Sequence, residues 1–161
     1  MIILGIDPGL GRMGYAIIKS SGSQAILSEC GCITTPPKTS DPGRLLEIKN
    51  DLEAIIKKWK PEVMCIESLF FAANSKTAMS VGQARGVALV VAAQHGLDIL
   101  EMTPLQVKIA ITGYGKAEKT QVQKMLLTLL KLQKIPKPDD AADAAAIAWA
   151  GIGRVKLSKL K

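Results

Sequence analysis

The sequence is poor in histidine and cysteine, and each shortage argues against a kind of site. His95 is the only histidine among 161 residues, which argues against zinc sites built on several histidines and against triads with a histidine base. The three cysteines, Cys30, Cys32 and Cys65, include no CxxC pair. Because Cys30 and Cys32 are too close in sequence for an ordinary disulfide, we expect reduced thiols in a cytosolic protein.

Long apolar runs are also missing. No stretch reaches membrane-spanning length without a charged residue, and the amino terminus lacks a basic region followed by a cleavable apolar segment. We therefore expect a cytoplasmic protein with no part in a membrane. The length suits one domain with a full-sized core. We expect that domain to span residues 1–152, with a basic tail at residues 153–161.

Positive charge is in excess, and it is confined to one end of the chain. The net charge is +7. Residues 1–107 contain ten Lys and Arg against ten Asp and Glu, whereas residues 108–161 contain eleven against four. This asymmetry predicts a polyanionic partner. For the tail itself, GRVKLSKLK, a solvated and frayed end is the simpler interpretation.

The order of apolar segments predicts an α/β fold. MIILGID and YAIIK predict strands joined by the glycine-rich turn PGLGRMG, and QAILSECGCI is a further apolar stretch. VMCIE and LDILEM predict two short strands. An amphipathic helix is predicted from Pro42 by apolar residues at alternating spacings of three and four, namely Leu45, Ile48, Leu52, Ile55 and Trp59. Strands first, then helices alternating with strands, indicate one layered α/β domain.

Three further helices and a last one are predicted in the second half. Residues 75–95 are rich in small side chains, which permit close packing against a sheet, another helix or a second subunit. Thr103 and Pro104 begin a short helix that runs through Lys108. The next helix has Val122, Met125, Leu126, Leu129 and Leu130 on one side. The last helix begins after Pro138.

Carboxylates stand where two predicted strands end. Asp7 closes one apolar run and Glu67 closes VMCI. A buried charge is costly unless it is paired, hydrogen-bonded or coordinated, so a salt bridge would explain either residue alone. Both together favour a functional site, because neighbouring parallel strands present their ends at one edge of the sheet, where ligands bind.

A second acidic group opens the last helix. Asp140 and Asp143 are three residues apart and point within roughly 60° of each other. Helix capping by Asp139 or Asp140 is the alternative explanation. Repulsion between clustered carboxylates is relieved by a divalent cation, and four such acids make an all-oxygen site suited to Mg²⁺ or Mn²⁺. Two such ions about 4 Å apart can promote phosphodiester cleavage without a histidine base.

Four segments resemble, in order and spacing, the RuvC family of crossover (Holliday) junction endodeoxyribonucleases. They are IDPGLGRMGYAII, IESLFFAANSKTAMSVGQARGVAL, PLQVKIAITGYGKAEKTQVQKML and DDAADAAAIA. The resemblance covers nearly the whole chain, to about Trp149. The first motif alone is weak, since actin-like sugar kinases also carry an Asp-x-Gly loop, but the ordered set is specific. It implies an RNase H-like fold, with a five-stranded mixed sheet flanked by helices.

The resemblance also implies an activity. A Mg²⁺-dependent homodimer would nick opposing strands of a four-way junction symmetrically, in DNA recombination and repair, with RuvA and RuvB as branch-migration partners. The family's metal-binding, catalytic acids carry over to Asp7, Glu67, Asp140 and Asp143, with two ions per subunit expected during catalysis. Asp139 is then left as the helix cap.

Contacts to DNA are implied as well. Phe70 matches an aromatic used against junction bases, where stacking is worth on the order of 1–3 kcal/mol, and Phe71 is left to the core. Lys108 and Lys119 match lysines near the scissile phosphate. Three further candidates for DNA contact are Lys116, Arg12 and Arg85.

The chain is expected to form a homodimer. A two-fold dimer suits the near two-fold symmetry of a four-way junction, and the small-residue helix at residues 75–95 is the predicted dimer contact, to which Arg85 would alternatively belong.

A DNA-binding module without catalysis would also explain the basic last third. An actin-like phosphotransferase would need a second lobe, for which the chain has no room.

Overall fold

A five-stranded sheet organises the computed structural model, which describes residues 1–22, 24–68 and 75–158. The strands are β1 (Ile2–Asp7), β2 (Arg12–Ser21), β3 (Gln24–Thr34), β4 (Val63–Glu67) and β5 (Asp98–Met102). They lie in the order β3-β2-β1-β4-β5. β2 pairs antiparallel with both β1 and β3, while β4 pairs parallel with both β1 and β5. The predicted mixed sheet is therefore confirmed.

Helices cover both faces of the sheet. In the described ranges they are α1 (Asp41–Trp59), α2 (Ser75–Gln94), α3 (Pro104–Thr112), α4 (Lys119–Leu129) and α5 (Asp139–Ser158). α3 is longer than the helix predicted to Lys108, and it begins with a capping box between Thr103 and Gln106. α5 continues to Ser158, past the boundary expected at residue 152. None of the helices in these ranges has both the length and the apolarity needed to cross a bilayer.

Strand alternation sorts the apolar side chains into two cores. Successive side chains in a strand point to opposite faces, so Ile3 packs with α3, α4 and α5, whereas Leu4 and Ile6 pack with α1 and α2. All three side chains are fully buried. The same alternation fixes which face carries the residues at the strand ends.

α5 lies unusually close to the sheet because two glycines of the sheet face it. A Cβ atom on Gly5 would lie 2.2 Å from the backbone oxygen of Ala144, and one on Gly14 would lie 2.0 Å from the backbone oxygen of Asp140. The alanines of α5 are themselves buried at Ala141, Ala142, Ala144, Ala145 and Ala148. Glycine on one surface and alanine on the other thus bring the first turns of α5 against β1 and β2.

Candidate active site

The four predicted acids meet at one end of the sheet. Asp7 is two residues beyond Gly5 in β1, so its side chain lies on the face that α5 covers. Glu67 is two residues beyond Cys65 in β4, which packs on the same face. Because β1 and β4 are parallel neighbours, both strands end at the same edge. The first turns of α5 bring Asp140 and Asp143 to that edge.

A cavity of about 240 Å³ opens between these elements. Three of the acids line it, Asp7, Glu67 and Asp143, together with Lys108 and Lys119. Its other walls come from α3, α4 and α5, namely Pro104, Val107, Val122, Ala146 and Ile147. Carboxylates and ammonium groups therefore share one cleft with apolar walls.

The surroundings of Asp7 disfavour its charge. Burial is the largest cause, followed by repulsion from Glu67, Asp143 and Asp140 and by the hydrogen bond with Glu67, and together they raise the pKa of Asp7 to about 8. Burial also raises the pKa of Glu67, against the effect of the hydrogen bond from Asp7 and with a further contribution from Asp143. A nearby cation would favour the ionised form of both groups.

Two acids of α5, Asp140 and Asp143, are paired with basic side chains. Arg12, the first residue of β2, forms an ion pair with Asp140. Lys119, the first residue of α4, donates a hydrogen bond to Asp143 at 2.8 Å. These bonds raise the pKa of both basic groups. β2 and α4 thus each contribute one positive charge that balances an acid of α5.

The donor set suits a hard divalent cation, although the acids do not converge on one point. In the part of the chain that the structure describes, no three carboxylate, thiol or imidazole side chains stand in position to ligate one ion together. Asp140 and Asp143 are directed at Arg12 and Lys119 instead. The available donors are all carboxylate oxygens, and the partly buried pair of Asp7 and Glu67 gains most from a nearby positive charge. These properties fit Mg²⁺ or Mn²⁺.

Similarity to known proteins agrees with this geometry. Residues 3–150 match the family described as Crossover junction endodeoxyribonuclease RuvC. The chain belongs to the RuvC family. A RuvC relative from Alkaliphilus oremlandii is 53% identical over 148 residues, which is 92% of this chain and 90% of the relative. The predicted family is confirmed, and it is a family of metal-dependent nucleases.

Solved structures give the same result for the fold. T. thermophilus RuvC in complex with a Holliday junction substrate matches with a TM-score of 0.93 and 31% identity, covering 98% of this chain and 96% of that one. The yeast mitochondrial Holliday junction resolvase Ydc2 has a TM-score of 0.67 at 16% identity, covering 92% and 76%. The latter likeness concerns the fold alone. The RNase H-like fold expected from the RuvC resemblance is confirmed.

The remaining residues that the RuvC resemblance singled out have different surroundings. Lys108 lines the cavity, whereas Lys116 is exposed in the segment between α3 and α4. Arg85 is engaged within the protein. Its guanidinium lies 2.6 Å from the carboxylate of Glu101, and its Nε donates to the backbone oxygen of Glu67 at 3.4 Å. These contacts support the end of β4 beside the site.

Three predictions concern residues near the acids. Asp139, expected as the residue before the helix, is instead the first residue of α5. Its carboxylate accepts a hydrogen bond at 3.3 Å from Lys137, which precedes it by two residues. Phe70 and Phe71 lie outside the described residues.

Two features of this RuvC site were missed in the sequence, namely the ion pair between Arg12 and Asp140 and the close packing of Gly14 against Asp140. The sequence assigned Arg12 to a turn, but it begins β2. Gly14, two residues later, therefore shares its face and contacts Asp140. Arg12 and Gly14 are two positions apart, and in a strand this spacing places both residues on one face. The spacing becomes informative once the strand is known to start at Arg12.

Proposed function

We propose that this chain resolves four-way DNA junctions by paired, symmetric nicks, with its four clustered acids holding divalent cations at the scissile phosphodiester. The acids are Asp7, Glu67, Asp140 and Asp143. The observation that carries the proposal is their meeting at one edge of the sheet, beside two lysines, in a chain of the RuvC family.

Mg²⁺ is the cation we expect, with Mn²⁺ as a substitute and two ions per subunit during catalysis. When bound, such ions activate the attacking water and stabilise the leaving oxygen. Asp7 and Glu67 would hold the cations from the rigid ends of β1 and β4, while Asp143 approaches from α5.

The lysines of the cavity complete the charge balance. Lys108 and Lys119 line the cavity together with three of the acids, so a phosphate drawn into the cleft would meet both carboxylates and ammonium groups. Contacts of this kind fix the position of the DNA backbone without reading its sequence. Lys119 also holds Asp143, and it would therefore orient an acid and meet the phosphate. Arg12 and Lys116 are exposed basic residues that would extend the contact with DNA beyond the cavity.

A homodimer would place two such sites on the matching strands of a junction. The face of α1 and α2 is suited to the contact, because Leu46 is 56% exposed, Met79 77% and Val90 57%. A shallow groove between the two helices includes Leu46, Gly86 and Val90. RuvA and RuvB are the partners that we infer for branch migration, on the basis of family membership.

The direct test is a nicking assay on a synthetic four-way junction with Mg²⁺. Asp7→Asn should bind the junction but lose more than roughly 100-fold in cleavage rate, since outer-shell partners of a metal alone are worth 10–100-fold. Asp51→Asn, an exposed acid of α1, is the matched control and should cut normally.

Two outcomes would reject the proposal. Full cleavage by Asp7→Asn would remove this residue from the site. A wild-type protein that binds the junction but produces no strand breaks, with or without Mg²⁺, would be a DNA-binding module rather than a nuclease.

A further inference from the structure

We propose that Arg12 competes with the divalent cation for the carboxylate of Asp140, and that cation binding frees its guanidinium to contact the DNA backbone. The inference rests on the proposed function, because it requires Asp140 to be a metal ligand. It assigns Arg12 a positioning role that acts through Asp140.

The first argument is where the carboxylate of Asp140 points. Three of the four acids line the cavity, but Asp140 is not among the lining residues, and neither is Arg12. The ion pair with Arg12 therefore holds Asp140 to the side of the cavity. Asp143 differs, since its partner Lys119 lines the cavity with it. A cation between the acids can keep Lys119 nearby, but it requires Asp140 to turn away from Arg12.

The second argument is that only the side chain of Asp140 is able to move. Its backbone oxygen presses on Gly14, where a Cβ would lie 2.0 Å away, and Gly14 in turn lies directly opposite Asp7 in the sheet. The main chain of Asp140 is thus fixed beside Asp7. Rotation of the side chain would move its carboxylate between Arg12 and the cavity.

The third argument is the exposure of Arg12. Its side chain is 53% exposed and the carboxylate side chain of Asp140 is 27% exposed, so the guanidinium has solvent into which it can swing at the rim of the site. Arginine binds phosphate oxygens through paired N–H groups. A guanidinium released at this rim would therefore gain a phosphate partner when DNA occupies the cleft. Reciprocity requires that DNA binding then strengthens cation binding.

Calorimetric titration of Mn²⁺ into the protein without DNA tests the competition. Arg12→Gln should bind Mn²⁺ more tightly than wild type, by roughly two- to fivefold, which is the range that partly exposed ion pairs provide. Arg12→Lys should fall between the two. Lys137→Gln is the matched control, since it removes a basic residue that pairs with Asp139 rather than with a proposed ligand, and it should leave the affinity unchanged.

Equal or weaker Mn²⁺ binding by folded Arg12→Gln would overturn the inference. Asp140→Asn should weaken binding and remove the difference made by Arg12→Gln, because the competition acts through that carboxylate. If wild type binds no Mn²⁺, or if Asp140→Asn binds it as wild type does, the metal site of the proposed function is wrong as well. Failure of the inference alone is therefore distinguishable.

Junction binding tests the release step. Arg12→Gln should weaken binding more in Ca²⁺ than in EDTA, because the wild-type guanidinium is free only when a cation holds Asp140. An equal loss in both buffers would contradict the release, whatever its size.

Discussion

Asp7 is a carboxylate whose charge is strongly disfavoured by its surroundings, since it ends a buried strand beside three other acids. The same burial that disfavours its charge would hold it in place as the proposed metal ligand, because the backbone of β1 cannot move without disturbing the core. Glu67 has the equivalent position at the end of β4. A cation at this edge would therefore be held by groups that gain from its presence.

We expect the stability of the protein in EDTA to fall as the pH rises from about 4 towards 8. The pKa of Asp7 is raised from 3.8 to about 8 by folding, so in this window the folded state retains a proton that the unfolded state has released. Ionisation therefore favours unfolding. Asp7→Asn should be more stable than wild type at pH 8, by on the order of a few kcal/mol, and the difference should shrink towards pH 4.

Urea denaturation in EDTA at several pH values measures this difference. Asp51→Asn, at an exposed acid of α1, serves again as the control. A gain for Asp7→Asn that is the same at pH 4 and pH 8 would show that the charge of Asp7 is not its cause.

At the level of single residues, the sequence predicted the acids of the candidate site but not all of their contacts. The acids could be found, because they end apolar strands or open a helix. The ion pair of Arg12 with Asp140 could not, since 128 positions separate the two residues and only the packing of α5 on β2 joins them. Their roles in metal binding and catalysis stay predictions.

At the level of elements, the packing of α5 on glycine positions the site. The helix contacts β1 and β2 through Gly5 and Gly14, so two of the acids depend on the absence of a side chain from the neighbouring strands. Bulkier residues at these positions would push away the opening turns of α5.

Gly14→Ala should therefore damage stability and cleavage together. The added methyl group would overlap the backbone oxygen of Asp140, and overpacking of this kind costs about 1–3 kcal/mol. Gly153→Ala is the control within α5, since its Cβ would meet nothing within 4 Å, and it should stabilise the helix by about 0.5–1 kcal/mol. Thermal denaturation and the nicking assay measure both effects, and a Gly14→Ala protein as stable and active as wild type would contradict this view of the packing.

The helices and strands were largely predicted from periodicity, and the errors have local causes. β2 starts at Arg12, earlier than predicted. The glycine-rich segment was interpreted as a longer turn, although Gly14 is part of the strand. Met125 was expected on the apolar side of α4 but is 38% exposed, while Leu126 beside it is buried. Periodicity predicts which face of a helix is buried, but the residues at the edge of that face are buried or exposed according to the elements that pack beside the helix.

At the level of the whole molecule, different helices cover the two faces of the sheet. The face with α3, α4 and α5 builds the site, and the face with α1 and α2 leaves apolar side chains exposed. The candidate site opens beside one helical layer, and the other layer is the proposed contact with a second subunit.

Val90→Asp should convert the proposed dimer to a monomer, because it places a charge on an exposed apolar position of α2. The monomer should lose the pairing of the two nicks. Ile26→Asp is the matched control, since Ile26 is 61% exposed on β3 and lies away from that groove. Sedimentation velocity measures the assembly, and dimers in both variants would place the interface elsewhere.

The sequence predicted the class of fold, but not from its strands alone. Apolar runs identify strands without giving their neighbours. The five-stranded mixed sheet was expected only through the family resemblance, and the order β3-β2-β1-β4-β5 was not predicted. The pairing of β4 between β1 and β5 depends on crossovers through α1 and α2, whose packing no short motif specifies.

β1 and α5 lie near opposite ends of the chain, and this arrangement has a consequence during synthesis. A ribosome makes Asp7 more than a hundred residues before Asp140 and Asp143. A copy that stops short of α5 has only half of the acids and lacks the helix that covers them. Prematurely terminated products of translation should thus lack the proposed cleavage activity.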